Sequence, residues 1–268
     1  MNWPINVGLS IIFVAQINIM LRYFFEISYK GTNYHGWQIQ QNAISLQQVI
    51  QEKLKQLLRQ DIEIVGSGRT DTGVHAKQQF FHAEFENQID TEDFKYHFNA
   101  ILPQDILVRS IKEVRLDAHV RFDAVKRGYE YVIINQKNPF LLNQAFIYHH
   151  PINLEKLNIA SEILVGKHNF ESFSKVKTQV NNFICEVYRA FWIQNGNQFA
   201  FHIEANRFLR GMVRAIVGTL LLVNENKIDM EDINRILASH DRKQAGKSVP
   251  AEGLYLSSIS YPDQIFEI

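Results

Sequence analysis

Between residues 20 and 124, strand-like and helix-like stretches alternate in the order β-α-β-β-α-β, and residues 125–268 repeat the theme loosely. Strand-like runs rich in β-branched and aromatic residues sit beside apolar runs at helical spacing, and no low-complexity linker separates the halves. These observations predict an α+β protein built from two ferredoxin-like, split β-α-β halves. Their antiparallel sheets are expected to join into one large sheet, with helices on one face and a cleft on the other. Residues 1–19 read as an extension outside the fold, 20–124 as the N-terminal half and 125–268 as the C-terminal half.

Arg22 to Tyr29 has the β-branched and aromatic character of a strand, and Lys30-Gly31-Thr32-Asn33 after it is a turn signal. Ser45 is expected to cap the first helix and Gln48 to complete a capping box, with Leu46, Val49, Ile50, Leu54, Leu57 and Leu58 recurring down one face. Ile62 to Val65 reads as a strand leading into a glycine-bracketed loop, and Gln79 to Phe85 as its return. Thr91 is the expected cap of a second helix carrying Phe94, Phe98 and Ile101, and Ile106 to Val114 closes the set. In the second half Tyr129 to Ile134, Glu186 to Gln194, Phe199 to Glu204 and Leu254 to Tyr261 read as strands. Leu154 to Leu164, Arg207 to Val223 and Met230 to Leu237 read as helices, the middle one following Asn206 as a cap.

With 46% hydrophobic and 12% aromatic residues among 268, the chain has ample material for a packed core, which excludes a disordered protein. The single cysteine, Cys185, excludes an intrachain disulfide and a cysteine metal site, so a reducing, cytoplasmic setting is expected. Residues 1–19 are mostly apolar but lack a basic start and a small-residue cleavage site, and Gln16 and Asn18 interrupt them; neither a signal peptide nor a membrane span fits. The formal net charge is zero but unevenly spread: 12 Lys and Arg against 14 Asp and Glu over 20–124, and 16 against 12 over 125–262. The second half is the basic one, where a polyanion would bind.

Among the ten histidines, His149-His150 is adjacent rather than at i, i+4, and no Glu sits where a zinc hydrolase has it. Gly66-Ser67-Gly68-Arg69 lacks the Gly-Lys-Ser/Thr ending of a phosphate-binding loop, and no dinucleotide fingerprint follows any strand. Neither a metal nor a nucleotide cofactor is expected.

The most informative segment is Gly66-Ser67-Gly68-Arg69-Thr70-Asp71-Thr72-Gly73-Val74-His75-Ala76. It sets the Asp71 carboxylate two places after Arg69, on a loop where core packing has no use for either. Read blandly, Asp71 is a turn residue bonding its own loop backbone. Arg69 favours a chemical reading, because a nearby guanidinium favours the ionised carboxylate, a state suited to a nucleophile or general base and unsuited to a proton donor. Asp71-Thr72-Gly73 is also the tripeptide of aspartic proteases, which need two such carboxylates sharing a proton. This chain has no second copy, and Arg69 would oppose the sharing.

Gly68 to Ala76 resembles the catalytic motif of the TruA family of tRNA pseudouridine synthases, and five further segments follow in that family's order. Tyr34-His35-Gly36-Trp37-Gln38 precedes the motif, and Arg127-Gly128-Tyr129-Glu130-Tyr131, Gly166-Lys167-His168-Asn169-Phe170, Phe208 to Arg214 and Pro250 to Leu256 come after it. The resemblance spans about residues 22–261, with departures at Asn169 and at Arg210-Gly211. It implies an isomerase that converts uridine to pseudouridine at positions 38, 39 and 40 of the tRNA anticodon stem-loop, working as a homodimer with neither metal nor cofactor. It further implies Asp71 as nucleophile, Tyr129 as the ring that packs on the target uracil, Arg214 as partner of the Asp71 carboxylate, and Arg69 as a group that helps displace the target nucleotide.

The chemistry agrees with these roles, since the target must leave its stack while the glycosidic bond breaks, the base rotates and carbon 5 bonds to the sugar. An aspartate can attack C1′ or the uracil ring, or assist loss of a sugar proton, and all three routes stay open. A flipped base needs an aromatic platform, for which Tyr129 is suited and whose hydroxyl is also a candidate to remove the C5 proton. Arg207, Arg210 and Arg214 recur at i, i+3 and i+7, opposite Val213, Ile216, Val217 and Leu220, as a stripe that would line the cleft. Arg214 would face Asp71, and Arg207 and Arg210 would meet phosphates. A noncatalytic RNA-binding protein is the rival reading, but the chain lacks the aromatic pattern of RNA-binding sheets and such a binder has little need of Arg69 with Asp71.

Overall fold

The computed structural model describes residues 20–176 and 181–267, so the extension read over 1–19 lies outside the described residues. In the first half, β1 (Leu21–Tyr29), β2 (Val65–Gly66), β3 (His75–Phe85) and β4 (Ile106–Val114) alternate with helices α1 (Leu46–Leu58) and α2 (Thr91–Ile101). In the second, β5 (Lys126–Ile134), β6 (Phe146–Ile147), α3 (Leu154–Glu162), β7 (Gly166–Asn169), β8 (Ile184–Asn195), β9 (Gln198–Ala205), α4 (Met212–Asn224), α5 (Met230–Ser239) and β10 (Leu254–Ser260) follow. The strands make one mixed sheet in the order β4-β1-β3-β10-β5-β9-β8-β7, with β2 on β3 and β6 on β5. The expected α+β class with a single large sheet is therefore what the chain forms.

The last strand is the seam. β10 pairs antiparallel with β5 along most of its length and parallel with β3 through only Tyr255–His75 and Leu256–Ala76. Beyond that short contact β3 pairs with β2 instead, at Val65–His82 and Gly66–Phe81. The loop that joins β2 to β3 carries Asp71, so it lies where the two parts of the sheet meet.

Each part has its own core. Phe25 of β1 stacks on Phe81 at 4.6 Å and meets Phe94 of α2 edge-on at 6.0 Å, whereas its neighbour Phe24 meets Tyr261 and Phe266 on the opposite face. Helices thus cover one face of this part, and the chain end covers the other. Tyr131 and Ile133 of β5 share the second core with Leu157 of α3 and Met212, Ile216 and Val217 of α4. Tyr129 leaves β5 on the same side as Tyr131. Tyr129 therefore packs against the core that α3 and α4 help to build.

Local signals were partly displaced by their surroundings. Ser45 accepts the Gln48 amide as a cap, but the Gln48 side chain turns to Glu52, so the capping box is half-formed. Asp90, rather than Thr91, caps α2 by accepting the Glu92 and Asp93 amides. The helix read from Arg207 begins only at Met212: the Asn206 side chain accepts the Glu186 amide instead of capping, and left-handed Gly211 precedes the first turn. Arg207 and Arg210 consequently precede the helix rather than forming a stripe along it.

One close approach fixes α4. A Cβ on Gly218 would lie 1.9 Å from the Lys247 carbonyl oxygen, backbone that has no rotamer with which to give way. Gly218→Ala is expected to destabilise the protein by about 3 kcal/mol and to lower the melting temperature by roughly 10 °C in a thermal unfolding scan.

Candidate active site

The Asp71 loop is gripped by the segment after β1. Thr70 receives the Tyr29 hydroxyl contact at 2.9 Å, its carbonyl accepts the Trp37 amide at 3.2 Å, and the Gly73 amide donates to the Tyr34 carbonyl at 3.3 Å. Gly36 makes this possible: it has φ of +86°, and a Cβ there would lie 2.4 Å from the Thr70 carbonyl oxygen. Tyr34, Gly36 and Trp37 are thus the mould of the loop. His75 closes it from the far side, its Nδ1 accepting the Gly31 amide at 2.9 Å and its Nε2 lying 3.1 Å from the Glu252 carbonyl oxygen.

Two guanidinium groups from the second half reach Asp71. Arg210 donates from Nε to Oδ1 at 3.3 Å, and Arg214 Nη1 stands 3.9 Å from Oδ2. Arg214 is itself fixed, because its Nε donates to the Val249 carbonyl at 2.7 Å while the Val249 amide donates back to the Arg214 carbonyl. The carboxylate is 30% exposed and accepts no backbone N–H among the described residues, so it does none of the loop-supporting work of a turn aspartate. Arg210, read as a phosphate contact, is the nearer partner of Asp71. Arg69, read as steadying Asp71, points elsewhere: its Nε donates to Gln38 at 3.1 Å, and Gln38 is held in turn by Gln47.

Tyr129 lies partly buried beside these groups, with Phe208 edge-on at 4.9 Å. Burial pushes its hydroxyl up to about 12, Arg127 opposes the shift and the Asp71 carboxylate adds to it. The phenol therefore stays protonated near neutral pH, which disfavours it as a free base and suits an aromatic platform. Arg207 has no hydrogen-bond partner among the described residues and sits close enough to Arg127 to lower the pKa of that residue. Among the described residues no group of three or more His, Cys, Asp and Glu is arranged to hold a metal ion, and no helix is long and apolar enough to cross a membrane.

Arg127 went unread as a functional residue. Its guanidinium donates to the carbonyls of Ser67, Arg121, Ala124 and Asn206, tying the start of the Asp71 loop to the segment that carries Arg207 and Arg210. No local signal marks such a clamp, because its acceptors are backbone carbonyls and two of them, Ser67 and Asn206, lie 60 and 79 residues away.

A family model described as tRNA pseudouridine synthase matches residues 27–123 and 160–262. The chain belongs to the tRNA pseudouridine synthase family. As a member it is an isomerase that acts on tRNA. It is 43% identical over 248 residues to tRNA pseudouridine synthase A of Bacteroides fragilis, covering 92% of this chain and 98% of the relative. The corresponding protein of Azobacteroides pseudotrichonymphae is 43% identical over 248 residues, covering 92% of this chain and all of the relative. That of Thermoanaerobacter sp. is 38% identical over 237 residues, covering 88% and 97%. Both matched blocks of the synthase model contribute to the Asp71 site, the first supplying Asp71 and the second Arg210 and Arg214.

Two buried histidines of β3, His75 at the Asp71 loop and His82 further along the strand, give a pH dependence of known sign. Burial, with Arg22 and His119 adding to it, lowers His82 to about 4, and burial lowers His75 as well. Both rings accept amide protons on Nδ1, which only the neutral form can do. The unfolded chain binds protons at higher pH than the folded one, so stability is complete above about 6.5 and declines as pH falls toward about 4. Urea midpoints are expected to drop across that window, and His82→Asn, which keeps an acceptor but cannot be protonated, is expected to flatten the decline.

Proposed function

We propose that this synthase converts uridine to pseudouridine at positions 38, 39 and 40 of the tRNA anticodon stem-loop, with Asp71 as nucleophile. The observation that carries the reading is the Asp71 carboxylate itself, turned away from its own loop toward Arg210, Arg214 and Tyr129. A binder that did no chemistry would gain nothing from a half-buried anion beside an RNA path, where it repels phosphate. The two guanidinium groups orient the carboxylate, and Tyr129 offers its face to the uracil of the extruded target. Arg207 takes phosphate, and Arg69, exposed and donating to Gln38, helps displace the target nucleotide. Attack at C1′, attack on the ring and assisted loss of a sugar proton all begin from this one carboxylate position.

The halves over 20–124 and 125–268 contribute the nucleophile and its cations respectively, which makes their mutual fit the condition for activity. The enzyme acts as a homodimer in the cytoplasm, as its family resemblance and its lone, buried Cys185 support. Incubation with tRNA tritiated at uracil C5 tests the reaction, because pseudouridine formation must release that label. Substrates with uridine at only one of positions 38, 39 and 40 should each release it. No release from any of them would overturn the assignment.

A further inference from the structure

Residues 119–123 form a rigid turn with an aromatic ring held outward. The His119 amide donates to Asp123 Oδ2 at 2.6 Å, the Asp123 amide returns to the His119 carbonyl at 3.1 Å, and His119 Nδ1 accepts the amides of both Arg121 and Phe122. The Phe122 ring rests on His119 at 4.3 Å, with the Arg121 guanidinium 5.6 Å from its centroid, yet the residue is 74% exposed. The turn's own hydrogen bonds thus hold a phenylalanine ring in place with most of it in water.

The turn adjoins the Asp71 loop. A single Arg127 nitrogen, Nη2, donates to the carbonyls of Arg121 at 2.7 Å and Ser67 at 3.3 Å, and Nη1 donates to Asn206, the residue before Arg207. Arg121 and Arg207 both lie near enough to depress the ionisation of Arg127. The one carboxylate in the turn, Asp123, is engaged by the His119 amide. Three guanidinium groups therefore gather around Arg127, one of them over the outward ring, and among the described residues none of the three forms an ion pair with a carboxylate. That combination suits an unstacked nucleotide, whose base lies on an aromatic face while its phosphates meet arginines.

We propose that Phe122 is a stacking platform for a second nucleobase of the RNA, one neighbouring the target, with Arg121 and Arg207 holding the adjoining phosphates. The inference rests on tRNA being the substrate of the synthase. It gives the flipped strand an anchor outside the Asp71 site, so that the gap left by the target does not simply close.

Fluorescence titration of the full chain with an anticodon stem-loop RNA tests it, alongside tritium release by the unaltered enzyme. Phe122→Leu is expected to raise the dissociation constant about tenfold, whereas Phe122→Trp, which keeps a flat face, should bind within about twofold of the unaltered chain. Arg121→Ala should make the salt dependence of binding shallower by about one unit of slope. Melting scans check that these exposed substitutions leave the fold intact. If Phe122→Leu binds as tightly as the unaltered enzyme, or if it alters subunit association in sedimentation rather than RNA affinity, the platform is overturned while the synthase reading stands. If the unaltered chain neither binds the RNA nor releases tritium, the substrate reading fails first and the platform with it.

Discussion

Asp71→Asn is expected to abolish measurable tritium release, a fall of about four orders of magnitude or more, while tRNA affinity is kept or slightly tightened. The amide has the volume of the carboxylate and the same reach to Arg210 and Arg214, so the loop mould of Tyr34, Gly36 and Trp37 has no reason to change. What disappears is the anion. Loss of negative charge beside an RNA path removes repulsion toward phosphate, which is why binding should not weaken. Asp71→Glu is the sharper control, because it keeps the charge but extends the side chain by about 1.5 Å from a backbone that Thr70 and Gly73 fix on both sides. A misplacement of that size costs about a hundredfold when a near-attack geometry is required. Single-turnover measurement at saturating tRNA separates these outcomes from binding. Retention of even about one per cent of the rate by Asp71→Asn would remove the nucleophile from the mechanism and leave the carboxylate an orienting role.

What local sequence carried, and what it did not, follows from the range of the forces involved. Helices α1, α2 and α5 and the long strands were legible because their apolar spacing is a property of consecutive residues. Asp71 was singled out for a different reason: core packing has no use for it, and although a turn role stayed open, its segment resembles the family's catalytic motif. The partners of Asp71 were harder. Arg69 is adjacent in sequence but is drawn to Gln38, whereas Arg210 arrives from 139 residues away because the Lys175 amide grips its carbonyl and Gly211 turns the chain into α4. The start of α4 was misread at Asn206 because its side chain is claimed by the Glu186 amide in the neighbouring strand, an acceptor need that only the sheet creates. That Tyr261 and Phe266 fold back over Phe24 was not legible, because the contact joins residues more than 230 positions apart. Short strands β6 and β7 were unread, having too few residues for any period to register.

Arg214→Lys is the second large effect, and it distinguishes the two cations that face Asp71. The Arg214 fork performs two tasks at once, its Nε bound to the Val249 carbonyl and its Nη1 directed at Asp71, from a side chain only 23% exposed. A lysine has one nitrogen for both and no plane to fix its direction. Whichever acceptor it chooses, the other is left without its donor, and the carboxylate loses the cation least screened by water. The expected fall in kcat is about a hundredfold, with a smaller change in KM. Arg210 stands closer to Asp71, at 3.3 Å, but its side chain is 58% exposed and solvent weakens its hold. Arg210→Lys should therefore cost only about threefold to tenfold in kcat, and the double variant should lose more than the product of the two, since either cation alone still orients the carboxylate. The reverse ranking, with Arg210→Lys the more damaging, would mean that the exposed partner sets the carboxylate and that Arg214 serves chiefly to fasten Val249 against α4.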